Sequence, residues 1–214
     1  FHVEIAYLPL IYKKFSFDTF CQEHLTYFSF NSFENLIKQT NLKILDFEQN
    51  SINGGSINFN LSLKESSQKI NLKKLRNLRK FELNNNYNNL SFIKKFFNTV
   101  KKNIHIIRKN IKSLKGEVYG FGASTKGNVT LQLCGLNDKD IPKIYDINSQ
   151  KFGSYTPGSK IKIVDEKNII KDQPKYLMFL IWHFKKTIFE KIKKFKLKKT
   201  RYIWLFPKYK VTNK

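Results

Sequence analysis

Glu23 and His24 are adjacent in the segment FDTFCQEHLTYFS at 17–29, and Tyr27 follows three positions on. Histidine titrates near neutrality and is the commonest general base, and a nearby carboxylate raises its pKa or fixes its tautomer. A partly buried histidine bonded to backbone is the other reading of the same residues. His2, His105 and His183 lack an acidic neighbour and read as structural.

A second chemistry is available at EVYGFGASTKGNVTLQLCG, 117–135, where a short apolar strand enters a glycine turn that opens a helix ending at Gly135. Such a turn gathers backbone N–H groups and a helix N-terminus where an anion can sit. Gly120, Gly122 and Gly127 let the main chain turn tightly and approach a ligand, and Ser124, Thr125, Lys126 and Asn128 add donors to the rim. The lysine precedes the glycine, so this is not the phosphate loop that ends in Gly-Lys-Ser/Thr. A tight strand-to-helix turn without a ligand fits the pattern as well.

The elements that position these residues follow from periodicity. Residues 2–8 read as a buried strand, followed by a polar, aromatic connection through Asp18. Asn31 and Glu34 are spaced as a capping box for a helix that ends near Asn41, with Phe33, Leu36 and Ile37 on its apolar face. LKILDFE at 42–48 and INFNLSL at 57–63 alternate as strands, joined through Asn53-Gly54-Gly55 as an antiparallel pair. Leu72, Leu75 and Leu78 mark a further helix, interrupted by asparagines at 84–89. Ser91 then caps a long helix whose inner face is Ile93, Phe97, Val100, Ile104, Ile107, Ile111 and Leu114. From Glu117 strands are expected at 117–121, 143–147, 161–164, 176–182 and 202–206, with helices at 125–134 and 185–197. That alternation implies a parallel α/β sheet with its ligand site outside the carboxyl ends of the strands. The division expected is 1–64, a helical connector at 65–116, and 117–214.

At 214 residues with 41% hydrophobic content, the chain is long enough for one large domain or two small ones. Its formal net charge is +24, but the lysines are dispersed from Lys64 to Lys210 among many Asn and Ile. Dispersal indicates a solvated surface, so no nucleic-acid partner is expected; a basic patch around Lys185–Lys199 is the alternative. A positive field favours an anionic substrate. No apolar run of eighteen residues is present, so no membrane partner is expected. Cys21 and Cys134 form no metal spacing and read as free thiols of a cytoplasmic protein. The chain begins at Phe1 and its one methionine is Met178, which reads as part of a longer protein.

Taken together, EIAYL at 4–8, FDTFCQEHLTYFS at 17–29, NGGS at 53–56, GFGASTKGNVTLQLCGL at 120–136 and PKYLMFLIWHF at 174–184 resemble SAM-dependent C-methyltransferases acting on nucleotide-linked deoxysugars. The resemblance covers nearly the whole chain. It implies the tail of a Rossmann-like methyltransferase domain (strand, helix, strand, strand), the helical connector, and a second Rossmann-like parallel α/β domain.

The chemistry implied is methyl transfer to a ring carbon beside a ketone: a base removes the acidified proton and the enolate attacks the sulfonium methyl. His24 matches the family's base and Glu23 its acidic neighbour. Tyr27, Gly122, Ser124, Thr125, Lys126 and Asn128 are matched to binding of the nucleotide sugar, and no metal is required. The family's S-adenosyl-L-methionine is held mainly by an N-terminal part, as is its zinc. The chain is therefore expected to be a fragment, or the partner of a separate SAM-binding polypeptide, and inactive alone. It departs from the family at Cys21 and Gln22, where Tyr-His is usual, and at Asn53, where His precedes Gly-Gly-Ser. A nucleotide-sugar-binding module without chemistry is the alternative.

Overall fold

The computed structural model describes residues 1–87 and 89–213 and divides into two compact units. The first comprises Phe1–Ser16 and Glu23–Asn98; the second comprises Phe17–Gln22 and Thr99–Lys214. Asn88, within the asparagine break expected at 84–89, lies outside the described residues, as does Lys214.

In the first unit, β1 (His2–Ala6), β2 (Leu42–Asn50) and β3 (Ser56–Leu63) form an antiparallel sheet in the order β1-β3-β2. Helices α2 (Phe30–Lys38) and α3 (Leu72–Asn84) pack on one another and on β2. Phe33 stacks on Phe59 with ring centroids 4.5 Å apart, at the middle of a core that includes Tyr7, Phe30, Ile44 and Leu75. Each such side chain removed from water contributes roughly 1.5–3 kcal/mol.

Four local expectations change here. Strand β1 ends at Ala6 and is half exposed along an edge, because Leu8–Lys14 forms a short helix, α1, with proline in its first turn. Seven residues are too few for periodicity to reveal, and Pro9 is suited to that position. The capping box of α2 is Ser29 with Ser32, not Asn31 with Glu34. In α4 (Leu90–Ser113), the asparagine at 89 accepts from the Ser91 amide at 2.8 Å, in the place expected of Ser91. Its buried stripe is Phe96, Val100, Ile107 and Ile111, while Phe97 is 42% exposed.

In the second unit, strands β4 (Val118–Phe121), β5 (Lys143–Asp146), β6 (Lys162–Asp165), β7 (Tyr176–Phe179), β8 (Arg201–Trp204) and β9 (Lys210–Asn213) form one sheet. Its order is β6-β5-β4-β7-β8-β9, parallel from β6 to β8, with β9 antiparallel to β8. This is a mixed α/β unit with a mostly parallel sheet. Helices α5 (Thr125–Leu133), α6 (Ile169–Asp172) and α7 (Lys185–Lys194) lie between strands in sequence. All four residues of β4 and of β7 are buried, as continuous apolar strands of a parallel sheet should be. Strand β9 was not expected from sequence: KVTN is short and polar, and only its pairing to β8 defines it.

Candidate functional site

The chain order runs from β4 outward to β5 and β6, then returns to place β7 on the other side of β4. Crevices form outside the carboxyl ends of strands at such a reversal. The glycine turn leaves β4 there. Gly122 has φ +87, and a Cβ on it would sit 2.6 Å from Cγ1 of Ile181, so both backbone angle and space demand glycine. Gly120 and Gly127 serve differently from the sequence expectation. Added Cβ atoms would lie 2.7 Å from Ile144 Cγ1 and from Leu180 Cβ respectively, so these glycines seat β4 and α5 tightly against neighbours.

Ser124 is the N-cap of α5, its hydroxyl oxygen accepting from the Gly127 amide at 3.0 Å. The amides expected to meet an external anion are largely occupied. Gly122 donates to the Tyr145 carbonyl and Ser124 to the Gly122 carbonyl, at 2.8 and 3.0 Å. Ala123 donates to Oδ2 of Asp146 at 2.7 Å. The anion nearest this turn is thus a carboxylate of the chain itself. Asp146 ends β5, is 8% exposed, and accepts from the Asn148 amide through its other oxygen at 2.8 Å. Sequence reading missed it; the available signal was an acid closing the strand after the glycine turn.

Over this turn lies a cavity of about 380 Å³. Phe121, Tyr145 and Ile188 give it buried apolar surface, Ile181 and Phe184 border it, and Gly122, Ser124 and Asp146 line its polar side. Two lysines reach it. Lys151 donates to the Ala123 carbonyl at 2.7 Å, and Lys191 pairs with Glu166 at 2.7 Å. An apolar pocket with a few converging polar groups suits an organic ligand with a flat ring and a polar tail. Of the expected binding residues, Gly122 and Ser124 line this cavity; Thr125, Lys126 and Asn128 do not.

Lys126 instead donates to the Thr19 hydroxyl at 3.3 Å, in a turn at Phe17–Thr19 that belongs to the same unit. Beside it, Asp18 is fully buried and accepts the Trp182 indole N–H at 2.6 Å. Burial pushes the Asp18 carboxyl up to about 6, against the lowering effects of the Trp182 hydrogen bond and the Lys126 charge. His183 moves the other way: burial lowers its imidazole to about 4, and the Lys126 charge adds to the effect. Asp18 Oδ1, Asn128 Oδ1 and His183 Nδ1 are buried without a hydrogen-bond partner among the described residues.

Glu23, His24 and Tyr27 belong to the first unit, on the irregular segment that precedes α2. Glu23 and His24 are exposed and Tyr27 is half-buried, its ring centroid 6.2 Å from that of His24. Cys21 is half-buried, whereas burial pushes the Cys134 thiol up to about 12, leaving it unreactive at neutral pH. Among the described residues, no group of three or more His, Cys, Asp or Glu side chains is arranged to hold a metal ion. Nor is any described helix long and apolar enough to cross a membrane.

The first unit has its own cavity of about 330 Å³, with Ile44 and Leu75 at its base. Lys38, Lys43, Lys64, Arg76 and Arg79 line it with a single carboxylate, Glu34.

The family model described as the C-methyltransferase C-terminal domain matches residues 51–207. Over 214 residues the chain is 27% identical to the C-methyltransferase NovU of Streptomyces niveus, an alignment covering 99% of this chain and 51% of that protein. The chain therefore spans about half the length of this curated relative.

Proposed function

Since this chain belongs to the C-methyltransferase C-terminal domain family, we propose that it supplies the acceptor-binding and proton-abstracting part of a SAM-dependent C-methyltransferase acting on a nucleotide-linked deoxysugar. The observation that carries this reading is the cavity over the glycine turn, which lies within the family-matched region. Its apolar surface suits the faces of a nucleobase. Asp146 stands at the strand end where a ribose meets a carboxylate in Rossmann-like nucleotide sites. The second unit is read as such a domain, and Lys151 supplies positive charge for a diphosphate. Ser124 is assigned to the sugar-nucleotide side within this cavity, and Thr125, Lys126 and Asn128, which lie outside its lining, are assigned to it by motif position alone.

The base is assigned to His24, which takes the proton from the carbon next to the ketone, with Glu23 stabilising the imidazolium that results. Base assistance of this kind contributes about 10²–10⁴-fold. Tyr27 is assigned to the acceptor sugar. Positioning of that carbon supplies a further part of the rate.

The methyl donor carries a sulfonium cation, and the basic lining of the first unit's cavity, Lys38, Lys43, Lys64, Arg76 and Arg79 against Glu34, opposes one. These residues do not fit SAM, so its site is assigned to a part of the enzyme outside this chain. Among the described residues β1 pairs with β3 and lies at the edge of its sheet, an edge that a larger sheet could extend. The first unit is accordingly read as the tail of a Rossmann-like methyltransferase domain, completed by further sequence or by a separate SAM-binding polypeptide.

Proton abstraction is testable without the methyl donor. Incubation of the complete enzyme with the keto-sugar nucleotide in D₂O should wash deuterium into the carbon beside the ketone. His24→Ala should slow this exchange at least about 10²-fold with little change in nucleotide affinity. Undiminished exchange in that variant removes His24 from the base role. A second reading, a nucleotide-sugar-binding subunit without chemistry, is favoured by Cys21 and Gln22, which depart from the family's Tyr-His. Binding with no exchange in the wild type is its signature.

A further inference from the structure

We propose that Asp18 is a positioning residue for the glycine-turn cavity, acting through Trp182 on the segment that forms one of its walls. This rests on the cavity being the ligand site argued above.

Trp182 lies in the segment between β7 and α7, flanked by Ile181 and followed by Phe184, both of which border the cavity. Leu180 opens this segment with an amide bonded to the Phe121 carbonyl at 3.0 Å, and Phe184 closes it with an amide bonded to the Ile181 carbonyl at 3.0 Å. Between these points the indole N–H reaches down to Asp18. The ring is held by Phe206, centroid 5.3 Å away, which in turn meets Phe17 at 4.9 Å. Ile181 is fixed against Gly122 so closely that a Cβ there would collide with it. Displacement of Trp182 therefore moves the wall against the glycine turn. The Phe17–Thr19 turn is also tied to α5, since Thr19 accepts from Lys126 one residue past the helix start.

A carboxylate is an expensive tether in this place. Asp18 is fully buried, and although the amides of Asp18 and Thr19 lie near its carboxylate, Oδ1 has no hydrogen-bonded donor among the described residues. A glutamine or asparagine could accept from the indole without burying charge. Locally unfavourable choices of this kind concentrate where function demands them. The charged group facing Asp18 is Lys126 on α5, which also lowers the imidazole of His183 beside Trp182. A charge-assisted bond to the indole is shorter and about twice as strong as a neutral one, so the ionised carboxylate holds the wall more firmly than the protonated acid.

The test uses the full chain, UDP and dTDP as probes, and Asp18→Asn, with Trp182→Phe as the converse variant. In the wild type, the component of tryptophan emission lost in Trp182→Phe should titrate between pH 5 and 7, and nucleotide affinity should follow it. Asp18→Asn should abolish that titration, weaken nucleotide binding about tenfold, and raise amide hydrogen exchange across 180–184. Combining the two substitutions should add little to either alone, because both act on one interaction, Asp18→Asn by removing its charge and Trp182→Phe by removing its donor. Wild-type affinity and exchange in a folded Asp18→Asn protein overturn the proposal. If the wild type binds neither nucleotide, the ligand assignment of the cavity fails. Exchange across 180–184 then still decides the role of Asp18: faster exchange in Asp18→Asn supports it, and equal exchange overturns it.

Discussion

Glu82 on α3 accepts the amide of Phe30, the first residue of α2, at 2.6 Å across 52 positions of sequence. Its other oxygen takes the Asn31 amide at 2.9 Å, and the Tyr7 hydroxyl donates to the first at 2.7 Å. A buried carboxylate thus satisfies amide groups that a helix start leaves open and complements the helix dipole. Glu82→Ala should strand two buried donors and one half-buried donor and cost about 3 kcal/mol, with Glu82→Gln less damaging. Both tryptophans lie in the second unit. The loss should therefore appear in hydrogen exchange of β3 and α2 and leave the unfolding midpoint seen by tryptophan emission in place. A shift confined to the tryptophan signal contradicts this account.

Gly122→Ala introduces a side chain at φ +87 and within 2.6 Å of Ile181. Positive φ alone costs of order 1–3 kcal/mol in a non-glycine residue, and Ile181 must also move. The expected result is lower stability of the second unit together with at least tenfold weaker nucleotide binding, read by urea unfolding and by titration. Gly153→Ala is a suitable control: φ is also positive there, at +79, but nothing lies within 4 Å of the added Cβ. Its stability loss should come without a binding defect. Equal binding losses in both variants argue that the glycine turn has no special part in holding the ligand.

Periodicity made most of this fold legible. The strands around 42–63 fall where alternation puts them, and the helix after the glycine turn starts where Ser124 caps it. Three things were hidden for identifiable reasons. Helix α1 is stabilised by burial of Ile11 and Tyr12 rather than by a pattern of its own. Phe96 and Phe97 are equally apolar neighbours, and only packing selects Phe96 for the interior. Asp18 and Trp182 lie 164 positions apart, and their bond belongs to tertiary structure alone. Asp146 was the most accessible of the missed site residues, since a carboxylate closing β5 is a sequence-level signal.

Asp146 ties two loops to the end of β5 by accepting from Ala123 and Asn148. Asp146→Asn keeps one acceptor but turns an N–H₂ group toward an amide donor, so one of the two bonds is lost. Charge-assisted bonds of this type contribute about 1.5–3 kcal/mol each. Nucleotide affinity should fall by roughly ten- to a hundredfold at unchanged β-sheet content, measured by titration calorimetry and far-UV circular dichroism. Retained affinity rules out Asp146 as an organiser of the cavity.

Asp18 and His183 give the second unit opposing responses to acid. Burial raises the Asp18 carboxyl from its ordinary range to about 6, so its contribution is fully favourable below the unfolded value near 3.8 and is lost as pH rises through 6. A displacement of that size corresponds to about 3 kcal/mol. Burial and the Lys126 charge lower the His183 imidazole to about 4; its contribution is present above the unfolded value of 6.5 and is lost as pH falls through 4. Between about 4 and 6 the two slopes therefore work against each other. Asp18→Asn removes the first, so that variant should be more stable than wild type at pH 7 and should lose that advantage steadily on acidification to pH 4. Urea unfolding followed by tryptophan emission at pH 4, 5, 6 and 7 reads the difference directly, and taking variant minus wild type cancels the other carboxylates. Two stability curves that run parallel across this range would mean that Asp18 does not titrate in the folded protein as its burial requires.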